Sequence, residues 1–176
     1  MAPWLEEFRQ VGRMLWEAGL VSSHGGNMSL RLEDGGLIIT RHGCMLGRIR
    51  EGDLVRVAPD GSAPGEPSMD TALHRAIYTA QSQARAVIHA HPRHAIALSS
   101  TYESLEPWDL EGRHYLKSIP IVSPEEMAGA LAGRPIALTR GHGSYAWGLD
   151  LWQALQWTSI LEESSQVLWL LRSLAR

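Results

Sequence analysis

The short spacing between segments whose residue patterns predict β-strands constrains the fold most. Residues 28–40 contain an alternating run, MSLRL, and an apolar run, LIIT, separated only by the turn-forming residues EDGG. Later in the chain, PIALT and SYAWG flank the equally short turn RGHG. Parallel strands need a crossover of about a dozen residues or more, whereas antiparallel neighbours can be joined by a tight turn. Most of the sheet is therefore predicted to be antiparallel.

Helical patterns are interspersed with these strands. Apolar residues recur at helical spacing over residues 4–15, which predicts an amphipathic helix. Ser68 is expected to cap a helix over residues 69–80, and Asp150 is expected to cap a long C-terminal helix. Together these patterns predict a single layered α/β (α+β) domain over residues 1–176, with a central, largely antiparallel sheet flanked by helices.

Two further segments carry weaker signals. Because proline cannot donate a backbone hydrogen bond, Pro120 in KSIPIV predicts a short strand at the edge of the sheet. Residues 101–116 show no clear period. The C-terminal helix carries Trp152, Trp157 and Trp169, which predict packing in the core or, alternatively, at a subunit interface.

Composition excludes several classes of protein. Hydrophobic residues make up 44% of the chain and charged residues 20%, as in globular domains. A net charge of −3 provides no basic field for nucleic acid or an anionic membrane. The single cysteine excludes an intrachain disulfide framework, and the N-terminus has acidic residues where a signal peptide would be apolar. We therefore expect a soluble, cytoplasmic protein.

The segment AVIHAHPRHA contains candidate metal ligands. In a strand, His89 and His91 point to the same face, with Cα atoms about 6.6–7 Å apart, because side-chain directions repeat every two residues. Both imidazoles can reach one ion from that separation. The pair alone fits a structural role equally well, so metal binding requires a further ligand from elsewhere in the chain.

His142 and Asp70 are the candidates that would complete such a site. His142 lies between two glycines in the RGHG turn, where small neighbours allow another element to approach closely. Catalytic zinc sites use three protein ligands and keep one position open for water or substrate. Asp70, near the start of the helix begun by PSMD, could ligate the ion or act as a base. The cysteine and three further histidines are interpreted as structural: Cys44, His74, His94 and His114.

Five short motifs occur in the order typical of the class II aldolase/adducin family: GLVSSHGGNMSLR, LIITRHG, PSMDTALHRAIY, AVIHAHPRHA and RGHGSYAWGLDLWQAL. On these motifs the chain resembles that family over nearly its whole length. The resemblance implies that His89, His91 and His142 bind Zn²⁺. It also implies that Asp70 is a ligand and the catalytic acid/base, and that the protein is a homotetramer with active sites at subunit interfaces.

The resemblance also implies a phosphate pocket built from three segments. Its counterparts are Gly26, Asn27, His42, Gly43 and Ser68. His42 and Met69 stand where the family carries small hydroxyl residues, so this pocket differs from the usual one. His24, Arg41 and His42 could instead form a charged anion pocket.

The resemblance implies an enzyme that cleaves a small ketose 1-phosphate, similar to fuculose 1-phosphate, by a retro-aldol reaction. Zinc would stabilise the enediolate formed when the C3–C4 bond breaks, and Asp70 would transfer a proton. A pentulose-5-phosphate 4-epimerase and a sugar-phosphate dehydratase or decarboxylase are alternatives that use the same ligands. The second acid of the epimerases aligns near Arg113, beside Asp109 and Glu111, and stays unassigned. A metal-free, adducin-like interaction module is the alternative of another class.

Overall fold

In the computed structural model, which describes residues 3–174, the chain forms six α-helices and eight strands. The helices are α1 (Pro3–Glu17), α2 (Thr71–Ala80), α3 (Arg93–Ser99), α4 (Leu110–Tyr115), α5 (Met127–Ala130) and α6 (Leu151–Leu174). The strands are β1 (Asn27–Arg31), β2 (Leu37–Thr40), β3 (Leu54–Val57), β4 (Ala86–Ala90), β5 (Ser104–Leu105), β6 (Ile119–Val122), β7 (Ile136–Thr139) and β8 (Gly143–Gly148). Short 3-10 helices at Leu46–Arg48 and Glu51–Asp53 lie between β2 and β3.

The eight strands form one sheet in the order β3-β2-β1-β4-β8-β7-β6-β5. The pair β6–β7 is parallel, and the other neighbours are antiparallel. The two predicted hairpins, β1–β2 and β7–β8, are both present. The predicted single-domain fold with a largely antiparallel sheet is therefore confirmed, and β4 pairs with β1 and β8 in the interior of the sheet.

Helices cover both faces of the sheet, and alternate side chains of β4 pack against the helices on opposite faces. Ala86, Ile88 and Ala90 belong to one apolar cluster, to which α1 and α6 contribute Phe8, Leu15, Leu155 and Leu161. Val87 belongs to a second cluster, to which α2 contributes Ile77 and Tyr78, α5 contributes Met127, and the residue after α5 contributes Leu131. His89 has the strand parity of Val87, so its side chain leaves the sheet on the side of α2.

The C-terminal helix is less buried than its tryptophans suggested. Trp152 is 40% exposed and Trp169 is 47% exposed, and only Trp157 is partly buried against the core. Core packing is therefore wrong for two of the three, because the buried face of α6 is formed by Leu151, Ala154, Leu161 and other residues between them. Within residues 3–174, no helix has the length and apolar character that crossing a membrane requires.

Two local predictions are wrong. Helix α2 begins at Thr71 rather than Met69, because the Ser68 hydroxyl accepts a hydrogen bond from the Asp70 amide (3.2 Å) in a turn that precedes the helix. Strand β6 is not the edge strand, because the two-residue strand β5 pairs with it and places Ser104 opposite Pro120. Strand β5 and helix α4 both lie in the segment that showed no period.

Candidate metal centre

Three histidines that are distant in sequence meet at one end of the β4–β8 pair. His89 lies in β4, His91 follows that strand directly, and His142 lies in the turn between β7 and β8. The His89 Nε2 atom is 3.0 Å from the Nε2 atom of His91 and 3.0 Å from that of His142. All three potential ligand atoms lie within 4.8 Å of one another. The pairing of β4 with β8 is what brings the turn to the His-x-His segment.

Gly143 allows this close approach. A Cβ atom at this position would lie 2.3 Å from the Ala90 carbonyl oxygen and 2.8 Å from Cδ2 of His91. Neither neighbour could move without disturbing the pairing of β4 or the His91 ring. The preceding glycine, Gly141, has a φ of +66°, a conformation that other residues rarely adopt. Gly143 therefore has the predicted role of allowing close approach, whereas Gly141 is required by its backbone conformation.

Hydrogen bonding orients the His89 ring with a lone pair toward the other two histidines. Its Nδ1 atom donates to the Ser144 carbonyl oxygen at 3.0 Å, so in the neutral ring Nε2 carries no proton. Burial, together with the nearby His91, lowers the pKa of His89 to about 3. His89 is therefore neutral near neutral pH, the form in which imidazole binds a metal.

The donor set fits a borderline divalent ion such as Zn²⁺. In a tetrahedral site with nitrogen–metal distances near 2.1 Å, the ligand nitrogens lie roughly 3.4 Å apart. Two of the three separations, at 3.0 Å each, are close to this value, and the third lies within 4.8 Å. Three imidazoles suit zinc and also other first-row divalent ions. The residues thus fit the group that the sequence predicted.

Asp70 lies beside the three histidines and is not one of that group. Its Oδ2 atom is 3.9 Å from the His89 Nε2 atom and accepts a hydrogen bond from the Asn27 side-chain amide at 2.7 Å. Burial alone would raise the pKa of Asp70, but the hydrogen bond from Asn27 and the nearby His89 bring it below the ordinary value. Asp70 is therefore an ionised carboxylate at the edge of the site. Its role as a ligand stays a prediction.

The three segments predicted to bind phosphate lie side by side around Thr40. The Met28 amide, just after the Gly26–Asn27 pair, donates to the Thr40 hydroxyl at 3.2 Å. The Ser68 amide donates to the Thr40 carbonyl oxygen at 3.1 Å, and the His42 amide donates to the Glu66 carbonyl oxygen at 3.0 Å. Because Ser68 also contacts the Asp70 amide, these segments are continuous with the acidic side of the site.

The residues of these segments differ in environment. Ser68 and Asn27 are buried, whereas His42 and Gly43 lie in an exposed turn. Arg41 forms an ion pair with Asp53 (2.7 Å), so its charge is already compensated. That pairing weakens the alternative in which Arg41 contributes to a charged anion pocket.

The structure gives Asp109 a structural contact. Its Oδ1 atom accepts a hydrogen bond from the Gly112 amide at 2.7 Å and caps α4. Glu111 lies in the first turn of the same short helix and is exposed. A second acid for the chemistry therefore remains unassigned.

Sequence reasoning missed Tyr145 and assigned His74 only a structural role. The Tyr145 ring stacks on His89, with centroids 4.3 Å apart and an interplanar angle of 15°. Its hydroxyl faces the Asp70 carboxylate closely enough to interact with it. His74 is fully buried four residues after Asp70, and its Nδ1 atom is 2.7 Å from the Ser29 hydroxyl. The helical spacing of four residues from Asp70 could have pointed to His74, whereas Tyr145 faces His89 only through the pairing of β4 with β8.

The buried histidines predict a stability that falls in acid. Burial lowers the pKa of His74 to about 4, against an ordinary value of 6.5, and Asp70 offsets this only in part. The unfolded chain protonates this histidine at a higher pH than the folded chain does. The folded state is therefore most stable relative to the unfolded state above about pH 6.5, and this advantage is lost as the pH falls toward 4. Each such histidine contributes a slope of up to about 1.4 kcal/mol per pH unit.

Urea unfolding of the metal-free protein between about pH 7 and pH 5 would measure this slope. The variant His74→Gln should give a shallower slope than the wild type. His114→Gln, at an exposed histidine, should leave the slope unchanged. A free energy of unfolding that does not depend on pH over this interval would contradict the prediction.

Fold and site together define a layered α/β protein with a candidate three-histidine metal centre and an adjacent carboxylate. Comparison with known proteins narrows this class: residues 6–169 match the family described as Class II Aldolase and Adducin N-terminal domain. The chain belongs to this family.

Relatives with different named activities resemble the chain over most of its length. The crystal structure of L-fuculose-1-phosphate aldolase from Thermus thermophilus superimposes with a TM-score of 0.93 at 37% identity, covering 99% of this chain and 97% of that one. A methylthioribulose-1-phosphate dehydratase of Gluconobacter oxydans is 32% identical, covering 83% of this chain and 81% of that protein. A 3-oxo-tetronate 4-phosphate decarboxylase of Haemophilus influenzae is 29% identical, covering 93% and 85%.

Proposed function

We propose that the protein is a zinc-dependent aldolase that cleaves a small ketose 1-phosphate, similar to fuculose 1-phosphate, by a retro-aldol reaction. The observation that carries the proposal is the convergence of three imidazole nitrogens beside an ionised carboxylate. Similarity to the Thermus thermophilus aldolase over nearly the full length of both chains supports this activity over the others.

Each side chain has a defined task in this proposal. His89, His91 and His142 would hold the divalent ion, which when bound supplies a Lewis acid that stabilises negative charge on substrate oxygens. The Ser144 carbonyl keeps His89 in the tautomer that leaves Nε2 free. Asp70 would move a proton to or from the carbon next to the carbonyl group, acting as acid/base from the side of the site.

We assign phosphate binding to the neighbouring segments. The residues proposed are Gly26, Asn27, His42, Gly43 and Ser68. The Ser68 hydroxyl oxygen accepts from the Asp70 amide, so its own proton remains available to an anion. The positive φ of Gly26 (+78°) and of Gly43 (+66°) belongs to loops in which backbone N–H groups can face a phosphate.

A dehydratase is the second candidate, because the Gluconobacter oxydans relative carries that name and matches most of the chain. Decarboxylation and epimerisation would draw on the same residues. The proposed roles of the site residues are to hold the Lewis acid and to carry a proton, and all of these reactions need both. Substrate contacts therefore have to separate them.

In the decisive experiment, the zinc-loaded protein is incubated in parallel with three substrates: fuculose 1-phosphate, methylthioribulose 1-phosphate and 3-oxo-tetronate 4-phosphate. Aldehyde, the dehydrated ketone and carbon dioxide are measured separately. Unphosphorylated sugars and the variant Asp70→Asn serve as controls. Aldehyde release from the fuculose ester alone would support the proposal. Turnover of another ester alone, or epimer formation without aldehyde, would replace it. If the wild-type protein turned over none of these esters and bound no zinc, an adducin-like interaction module would be favoured.

We further propose a cytoplasmic homotetramer. In support of self-association, an apolar groove lies between α1 and α6, lined by Met14, Ala18, Leu20, Trp152 and Leu155. On another side of α1, where it lies against Gly47, Trp16 is also 48% exposed. Light scattering should give about four times the chain mass of 19.5 kDa. Trp152→Glu should reduce that mass, and a wild-type protein that stays monomeric at high concentration would contradict the proposal.

A further inference from the structure

Tyr145 stacks on a candidate metal ligand, His89, and its hydroxyl faces the candidate acid/base, Asp70. In the pairing of β4 with β8 it lies directly opposite His89. Cross-strand partners extend from the same face of a sheet, which explains why the two rings stack at 4.3 Å. Tyr145 is only 3% exposed, so its ring supports His89 from the side of the core.

The Asp70 carboxylate is oriented by residues outside its own helix. Asp70 occupies the N-cap position of α2, where an aspartate usually accepts a hydrogen bond from the first turn. Within the described residues it makes no such bond. Instead it accepts a hydrogen bond from the Asn27 amide at 2.7 Å, and the Tyr145 hydroxyl interacts with it from β8. These two groups lie on the sheet, so they hold the carboxylate on the side of the histidines.

We propose that Tyr145 is a positioning residue that fixes the Asp70 carboxylate relative to His89, an inference that rests on the proposed function. Its hydroxyl sets the direction of the carboxylate, and its ring sets the plane of the imidazole. One rigid side chain thereby controls the 3.9 Å separation between Asp70 Oδ2 and His89 Nε2.

Two substitutions separate the two contacts. Tyr145→Phe removes the hydroxyl but keeps a ring that can stack on His89. It should lower kcat by about 10–100-fold while KM and the affinity for Co²⁺ change less than about threefold. Tyr145→Leu removes the ring as well and should lower the affinity for Co²⁺ by about tenfold or more. The Co²⁺ titration, followed by visible absorption, needs no substrate and therefore holds even if the proposed reaction is wrong.

A double-mutant cycle tests the connection to Asp70. In the Asp70→Asn background, Tyr145→Phe should cause no further loss of kcat, because the carboxylate that it positions is already gone. Tyr78→Phe is the matched control: Tyr78 is buried on the same side of the sheet, and its hydroxyl donates to the Ser29 carbonyl oxygen. It should lose stability while keeping kcat within about twofold.

Fully additive losses in the cycle would overturn the proposal, as would a Tyr145→Phe enzyme with wild-type kcat. If the wild type turns over no substrate, equal Co²⁺ affinities of the Leu and Phe variants would overturn the part that concerns His89. If Tyr145→Phe loses stability and kcat no more than Tyr78→Phe does, the tyrosine is only a packing residue and the proposal is wrong.

Discussion

Replacing His142 with alanine should lower the affinity for zinc by more than about 100-fold, because loss of a supporting residue outside the ligand set already costs 10–100-fold. Activity should fall with it. His142 provides one of three converging nitrogens, and its Nε2 atom lies 3.0 Å from that of His89. Two histidines separated by one residue would remain and would bind an ion only weakly. Zinc content after dialysis and competition with a chelator would measure the loss.

His114→Ala provides the matched control for this variant. His114 is an exposed histidine on α4 that the site does not use. Its removal should leave one zinc ion per chain. Because His142 is exposed in its turn, the alanine variant should fold like the wild type. A His142→Ala protein that retained full zinc occupancy would remove this residue from the ligand set.

Replacing Asp70 with asparagine should lower kcat by about 100- to 10,000-fold, the contribution typical of a general acid/base. The substitution keeps the shape of the side chain but removes the charge and the ability to carry a proton. Metal binding should suffer much less than catalysis, because Asp70 lies beside the group formed by the three histidines. Steady-state kinetics and a zinc titration on the same preparation would separate the two effects.

Asp150→Asn is the matched control, since it changes the same chemical group at a position where aspartate only caps α6. Asparagine caps a helix about as well, so both stability and activity should stay near those of the wild type. If Asp70→Asn kept wild-type kcat, Asp70 could not be the proton carrier. If it lost zinc as completely as His142→Ala, the carboxylate would be a ligand first.

Much of the fold could be predicted because the information is local. The residues EDGG and RGHG specify hairpins, and strand alternation places alternate residues of β4 on opposite faces of the sheet. Strand β5 and helix α4 could not be predicted, since elements of two and six residues are too short to establish a period. The start of α2 was misplaced because Ser68 bonds to the Asp70 amide before the helix begins.

The candidate site was predictable to the extent that it repeats known motifs. His89 and His91 follow from strand parity, the glycines of the RGHG turn made His142 a candidate, and the order of motifs supported all three. The structure brings these residues together, while their role as ligands stays a prediction. Tyr145 was missed because its importance depends on which strands are neighbours: it faces His89 only once β8 pairs with β4. The residue pattern of one strand does not show which strand it pairs with or which residues face each other.

The proposed chemistry depends on one divalent ion shared by three imidazoles. Diffraction from zinc-loaded crystals at the zinc absorption edge would test this most directly. We predict one anomalous peak per chain, about 2.0–2.1 Å from the Nε2 atoms of His89, His91 and His142, with Asp70 alongside. A peak bound elsewhere, or an ion that one of these histidines does not contact, would contradict the account.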